Sequence, residues 1–228
     1  QSRPQHLGFY CVADGMGGHE LGERASQLAV LGSLQAFREI TQDVAFDQLH
    51  YRLPEFALTM GRAASELVCS GGQEFPGGAR MGTTLTGVLV VNDELAVTHV
   101  GDSRGLLVRE GKITPITLDH SLVASLVRAG QMTEEEAAVS DERNVLVRCI
   151  DARVLLDESG FDGLWAMGIE SGRIRVEVDD VLLLLSDGVW GVLSDQELLA
   201  MVREGGGPQA ISDRIVANAL ASGSDDNS

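Results

Sequence analysis

Four aspartates stand where a carboxylate could be fixed at the rim of a buried core. Asp14 follows LGFYCVA, Asp102 follows ELAVTHVG and Asp187 follows VLLLLS, so each lies where an apolar run emerges into a glycine turn. Asp226 sits in the Gly-Ser-Asp-Asp-Asn segment near the chain end. One Asp-Gly turn says little, because both residues are common turn formers. Repetition of the same context says more: convergent carboxylates repel one another unless they are protonated or bridged by cations. Oxygen donors without His or Cys suit hard divalent ions such as Mg²⁺ or Mn²⁺. Two such ions about 3.5 to 4 Å apart share a water, lower its pKa and clamp an in-line phosphoryl displacement. Asp14, Asp187 and Asp226 would bring three negative charges to four positive ones, leaving a loaded cluster that attracts a phosphate dianion.

The elements that must hold these residues show in the hydrophobic periodicity. Leu7 to Ala13 reads as a buried strand ending at Asp14-Gly15. Leu21, Ala25, Leu28, Leu31, Leu34 and Phe37 recur at spacings of three and four, which predicts a helix with one buried stripe. Phe56, Met60, Ala63 and Leu67 predict a second helix, separated by Pro54 from what precedes it and running into a glycine-rich loop over Ser70 to Gly78. Gly82 to Val91, Glu94 to Val100, Gly105 to Arg109 and Ile113 to Thr117 are β-rich runs. Asn92-Asp93, Gly101-Asp102 and Glu110-Gly111 divide them, a pattern that predicts a consecutive antiparallel meander. Helical patterning returns over Ser121 to Ser140, with a second start after Thr133, and an irregular stretch follows to Val178. Val181 to Leu185 reads as a fully apolar strand. Ser194 and Glu197 form a capping box, and Pro208 suits the first turn of a last helix carrying Ile211 and Ile215.

The 228 residues suffice for one large core, and the lack of an internal repeat or long linker favours one domain over two. Thirty-four acidic against 17 basic residues give a net charge of −17. Such a field opposes phosphate backbones and anionic lipid surfaces, which argues against nucleic-acid or membrane partners. Cys11, Cys69 and Cys149 lie far apart without metal-type spacing and read as reduced thiols of an intracellular protein. The longest apolar run, Val181 to Leu185, is far short of the roughly 20 residues of a membrane span, and no export signal opens the chain.

Asp14-Gly15-Met16-Gly17-Gly18-His19 is the most specific string present. It is followed by GTT at Gly82 to Thr84, HVGDSR at His99 to Arg104, LDHS at Leu118 to Ser121, SDG at Ser186 to Gly188 and GSDDN at Gly223 to Asn227. In order and approximate spacing this series resembles the metal-dependent Ser/Thr protein phosphatases of type 2C, over about Gly8 to Ser228, with Met16 similar to the bacterial branch. The resemblance implies an α+β fold: a four-layer α-β-β-α sandwich of two mostly antiparallel sheets flanked by helices. It implies hydrolysis of phosphoserine and phosphothreonine in proteins by a metal-bridged hydroxide, with Asp14, Asp187 and Asp226 as the catalytic carboxylates. Asp14 would bridge two Mg²⁺ or Mn²⁺ ions, the Gly15 carbonyl would ligate one of them, and Asp187 and Asp226 would complete the other. Asp102, together with Asp187, would help hold a third, weaker ion. The region from about Leu122 to Ile150 corresponds to the family's flap beside the active site. The implied setting is a cytoplasmic monomer acting on phosphorylated proteins, opposite a Ser/Thr kinase.

Two departures from the family pattern qualify that expectation. Many eukaryotic relatives carry a proton-donating His two residues after the first Asp, where this chain has Met16; His19 reads as a turn or capping residue, which leaves water to protonate the leaving group. The family also begins with a strand bearing an acidic pair and a phosphate-binding Arg upstream of the DG motif, whereas Gln1 lies only 13 residues before Asp14, and it continues past the DN motif into another core strand. The expectation is therefore a single catalytic domain over residues 1–228, trimmed at both termini, because a sheet missing two strands would expose unpaired edges. The alternative is a degenerate relative, a non-catalytic regulatory or phospho-binding module on the same fold. Retention of Asp14, Asp102, Asp187 and Asp226, and the scatter of Arg80, Arg104 and Arg148, argue against it. Gly101 to Gly105 also matches the G-x-S-x-G elbow of serine hydrolases, but that elbow requires a following helix and Gly105 to Arg109 reads as a strand.

Overall fold

A computed structural model of the chain describes residues 6–74 and 80–224. In chain order the elements begin with β1 (Leu7–Val12), β2 (Gly15–Met16), α1 (His19–Asp43), α2 (Phe46–Tyr51) and α3 (Leu53–Glu74). Next come β3 (Gly82–Thr83), β4 (Leu85–Val91), β5 (Glu94–Val100), β6 (Arg104–Arg109) and β7 (Lys112–Pro115). Then follow α4 (Leu122–Arg128), α5 (Glu134–Ala138), β8 (Ile150–Asp151), β9 (Ile174–Arg175) and β10 (Val181–Leu185), and the series ends with α6 (Asp187–Trp190), α7 (Asp195–Arg203) and α8 (Gly207–Ala221). One sheet has the order β1-β4-β5-β9, a second β10-β6-β7, and a small third β2-β3-β8; all of these pairings are antiparallel.

Period-two alternation in the strands sets the layering. Leu106 and Val108 of β6, with Leu183 and Leu185 of β10, pack under α6, α7 and α8 against Val189, Leu198, Met201 and Ile215. Their alternates Leu107, Leu182 and Leu184 turn the other way and meet Val88, Leu95 and Val97 of the first sheet. The far face of that sheet, Leu89, Val91 and Ala96, is covered by α3 through Leu53, Phe56 and Met60. Helices, sheet, sheet and helices therefore stack in four layers, as the resemblance implies. Burying each large aliphatic side chain stabilises by about 1.5 to 3 kcal/mol relative to leaving it exposed.

Three local expectations need correction. The β-rich runs are not one meander. Gly82–Thr83 belongs to the small sheet, β4 and β5 form a hairpin in the first sheet, and the chain crosses at Gly101, with φ of 109°, to place β6 and β7 in the second. Turn residues signal a reversal or bend, not the sheet the next strand joins. In α1, Leu21, Ala25 and Leu28 are buried as the spacing predicts, but Leu31 is 45% exposed and the buried line continues through Ala29, Ser33 and Ala36. Small residues take that face because α3 lies close: a Cβ on Gly32 would stand 2.5 Å from the Ala63 carbonyl oxygen, and the Ser33 hydroxyl donates to Met60 O at 3.2 Å. Finally, Pro54 lies inside the first turn of α3, where its missing N–H has no partner to lose, and that helix continues to Glu74, beyond the predicted start of the loop at Ser70. Residues 75–79 and 225–228, and with the latter Asp226, lie outside the described residues. The capping boxes Thr133–Glu136 and Ser194–Glu197 form, and Pro208 occupies the first turn of α8.

Candidate active site

Strand ends from both large sheets open on one cavity of about 790 Å³, whose wall includes Asp14, Gly15, Asp102, Asp151 and Asp187. Asp14 lies between β1 and β2, Asp102 in the crossing from β5 to β6, and Asp187 at the start of α6 directly after β10 and Ser186. The three sequence-predicted aspartates that fall among the described residues are thus brought together from positions far apart in the chain. Asp226 lies outside the described residues.

The GTT string fixes Asp14 through its backbone. Asp14 N donates to the Thr84 hydroxyl at 2.9 Å, Thr84 N donates back to the Asp14 carbonyl at 2.8 Å, and the Thr83 hydroxyl lies 2.8 Å from the same carbonyl. The Thr84 hydroxyl also meets Ser103 Oγ at 2.7 Å, so one buried side chain ties the Asp14 turn to the loop carrying Asp102. Gly15 has no room for a side chain, since a Cβ there would lie 1.9 Å from the Gly22 carbonyl oxygen of α1.

The electrostatics of the cavity call for a cation. Burial, and then the facing charge of Asp187, push the Asp102 carboxyl up to about 6. Asp187 Oδ1 is buried and has no hydrogen-bond partner. An orphaned carboxylate oxygen beside a second buried carboxylate is costly unless positive charge meets it. The donors on offer are carboxylate and carbonyl oxygens, which suits a hard divalent ion. Among the described residues no three His, Cys, Asp or Glu side chains close on a point that could hold an ion unaided. The residues therefore fit ions that keep waters of their own and draw a further ligand from outside this set, as Mg²⁺ in particular does.

Some wall residues were not anticipated. Asp151 reaches the cavity because β8 pairs with β3, Gly82 opposite Asp151, and the hydrogen bond from Arg153 holds its carboxyl below the ordinary range. Arg80, Cys149, Asn144 and Leu146 also line the wall. The irregular sequence around Asp151 carries no periodic signal, and only the tertiary pairing places it. Arg104 and Arg148 are engaged elsewhere, on Asp119 and Asp162. Met16 lines the cavity with no proton to give, and His19 opens α1 with its side chain outside what is described.

Beneath the site, His99 is fully buried. The Leu118 carbonyl takes its Nε2 proton at 2.9 Å, and Nδ1 faces the Thr86 hydroxyl at 2.9 Å. Burial, aided by the neighbouring His120, pushes its imidazole down to about 3. The unfolded chain regains a value near 6.5 and so binds the proton first; stability is full above about 6.5 and falls as pH drops toward 3. Between pH 7 and pH 5 the metal-free protein should lose about 2 kcal/mol through this group, read from urea midpoints. His99→Gln should remove that part of the acid sensitivity; an unchanged pH dependence would contradict the assignment.

Comparison with known proteins decides what this arrangement belongs to. The family model for Protein phosphatase 2C matches residues 1–125 and 169–228. The chain belongs to the protein phosphatase 2C family. The Serine/threonine phosphatase stp of Listeria welshimeri is 28% identical over 221 residues, covering 95% of this chain and 80% of that protein. The crystal structure of the Mycobacterium tuberculosis serine/threonine phosphatase PstP/Ppp superposes with a TM-score of 0.81 at 28% identity, covering 100% of this chain and 91% of that one. A PstP catalytic domain in complex with two manganese ions superposes at 0.74, also at 28% identity, covering 100% and 90%. The resemblance read from the motif series is thus correct as to family and to its bacterial type, and the type 2C fold accounts for the G-x-S-x-G match as a loop between strands. No helix among the described residues is long and apolar enough to cross a membrane.

Proposed function

We propose that this 2C domain hydrolyses phosphoserine and phosphothreonine in proteins with two Mg²⁺ or Mn²⁺ ions, held by Asp14, the Gly15 carbonyl, Asp187 and Asp226. Asp102 and Asp187 hold a third, weaker ion. The observation that carries this reading is the convergence of Asp14, Asp102 and Asp187 from three loops on one cavity, with the buried Asp187 Oδ1 lacking a partner. Divalent ions bound there supply an acidified water and positive charge for the phosphoryl oxygens, the electrostatic contribution that a reaction needing accelerations toward ~10²¹-fold demands. The chain's own residues do the positioning. Thr83 and Thr84 hold the Asp14 backbone still, Gly15 lets its peptide lie against α1, and buried Asp102 and half-buried Asp187 line the cavity wall. Met16 leaves leaving-group protonation to solvent. The substrates are phosphoproteins made by a Ser/Thr kinase, met by a monomer in the cytoplasm, and residues 1–228 act as one catalytic domain.

Phosphate release from a phosphothreonine peptide tests the proposal. EDTA should abolish release and added Mn²⁺ should restore it. Release indifferent to EDTA would overturn the metal assignment, and peptide binding without turnover in Mn²⁺ would favour the non-catalytic module.

A further inference from the structure

The LDHS segment and the tryptophan after SDG contain side chains that do not line the cavity, yet they converge on the peptide that carries Asp102. His120 grips Gly101 at both ends: Gly101 N donates to His120 Nδ1 at 3.0 Å, and His120 N donates to the Gly101 carbonyl at 2.8 Å. Because Nδ1 must accept, the imidazole proton belongs on Nε2, which donates to Asp162 Oδ2 at 2.9 Å. Arg148 holds the other oxygen of that carboxylate at 2.9 Å and the Gly160 carbonyl at 2.8 Å. Burial alone would raise Asp162, but the hydrogen bonds from His120 and Arg148 outweigh it and hold the carboxyl at about 2.

The other side of the peptide is held by Trp190, whose indole N–H donates to the Asp102 carbonyl at 3.0 Å. The Arg104 guanidinium stacks over that ring, 3.6 Å from its centroid, and is itself fixed by a fork onto Asp119, with contacts of 3.1 and 2.7 Å. Gly101, at a positive φ of 109°, lies so close to Thr84 that a Cβ would stand 2.6 Å from the threonine Cβ. The backbone on which Asp102 is mounted is thus held by an imidazole, an indole and a steric wall, although none of these touches its carboxylate.

We propose that His120 and Trp190 are positioning residues that clamp the Gly101–Asp102 peptide and so keep the Asp102 carboxylate beside Asp187 for metal binding. The physical need is plain. Asp102 is buried beside Asp187, whose charge repels it and favours swinging one of the two away, and a rigid mount makes that costly before any ion arrives. Asp119 serves the same mount at one remove, since it fixes Arg104 and Arg104 backs Trp190. This inference rests on the reading of Asp102 as a ligand.

Calorimetric titration of the metal-free protein with Mn²⁺ alone tests it without reference to turnover. Trp190→Phe keeps the ring under Arg104 and removes only the N–H; it should weaken the Asp102-dependent binding step about 10- to 100-fold, as loss of an outer-shell partner does. His120→Asn leaves an acceptor near the Nδ1 position and should stay close to wild type, whereas His120→Gln presents its amide near Nε2 instead and should weaken the same step. In an Asp102→Asn background neither change should weaken Mn²⁺ binding further, a silence that a general packing defect would not produce. Should Trp190→Phe fail to fold, judged by its melting temperature in EDTA, the His120 pair carries the test alone. Wild-type affinity in both Trp190→Phe and His120→Gln, with Asp102→Asn impaired, overturns the clamp. An Asp102→Asn isotherm identical to wild type overturns the ligand reading beneath it, and the clamp with it.

Discussion

Asp187→Asn is expected to lower Mn²⁺-dependent turnover of a phosphothreonine peptide by at least ~10³-fold, while the metal-free protein melts no lower than wild type. The two halves of that result have one cause. Asp187 contributes a buried oxygen without a hydrogen-bond partner and a charge that pushes Asp102 upward, so in the absence of ions that charge holds no part of the fold together. The amide keeps the shape and removes the charge. What is lost is the anionic oxygen that a divalent ion needs; what is relieved is the repulsion with Asp102. Phosphate release and thermal melting in EDTA measure the halves separately. Unchanged turnover would remove Asp187 from the reaction, and a large drop in melting temperature would show that its carboxylate holds the fold together rather than an ion.

Gly15→Ala should destabilise the protein by about 3 kcal/mol and bring metal-dependent activity down with it. The added Cβ would stand 1.9 Å from the Gly22 carbonyl oxygen and 2.3 Å from its carbon, and both belong to helix backbone that has no rotamer by which to move aside. Either α1 retreats from β2 or the Gly15 peptide turns, and the second displaces the carbonyl proposed to ligate an ion. Gly22→Ala probes the same contact from the helix side, with its Cβ 2.6 Å from the Gly15 oxygen. In a free helix that change would stabilise by roughly 1 kcal/mol, so a net loss here isolates the close approach. Urea denaturation of the two variants and Mn²⁺ titration of each give the measurements. If Gly22→Ala proves stabilising and binds Mn²⁺ normally, the tight packing of α1 on the Asp14 turn is not what holds the site.

The motif residues showed the chemistry in the sequence because Asp14, Asp102 and Asp187 each follow an apolar run, and chain physics puts the end of a buried strand at the edge of a core. Layer membership was not legible at Leu106, Leu107 and Val108, an unbroken apolar run; period two divides them between helices and sheet once β6 is placed between the two. Local capping chemistry at Ser194 and Thr133 was readable, since both partners of each box lie within three residues. The helical spacing assigns Leu31 to the buried stripe, although it is exposed, because hydrophobicity ranks side chains one by one. At the contact of α1 with α3, backbone distance selects Gly32 and Ser33 instead, and that distance is a property of two helices at once.

The sequence, then, carried the family through its ordered motif series, the four-layer class as what that resemblance implies, and most of the acids from which a site could be built, because each motif depends on residue type and on spacing within a few turns of chain. Only the tertiary structure decided that β5 and β6 part company at Gly101, that Asp151 joins the cavity through its pairing with β3, and that an imidazole and an indole from distant segments hold the Asp102 peptide. The clamp on Asp102 joins groups separated along the chain, by 19 positions from Gly101 to His120 and by 88 from Asp102 to Trp190. Their juxtaposition follows from which faces the sheets and helices bury against one another, a balance over the whole core that no local pattern of residues encodes.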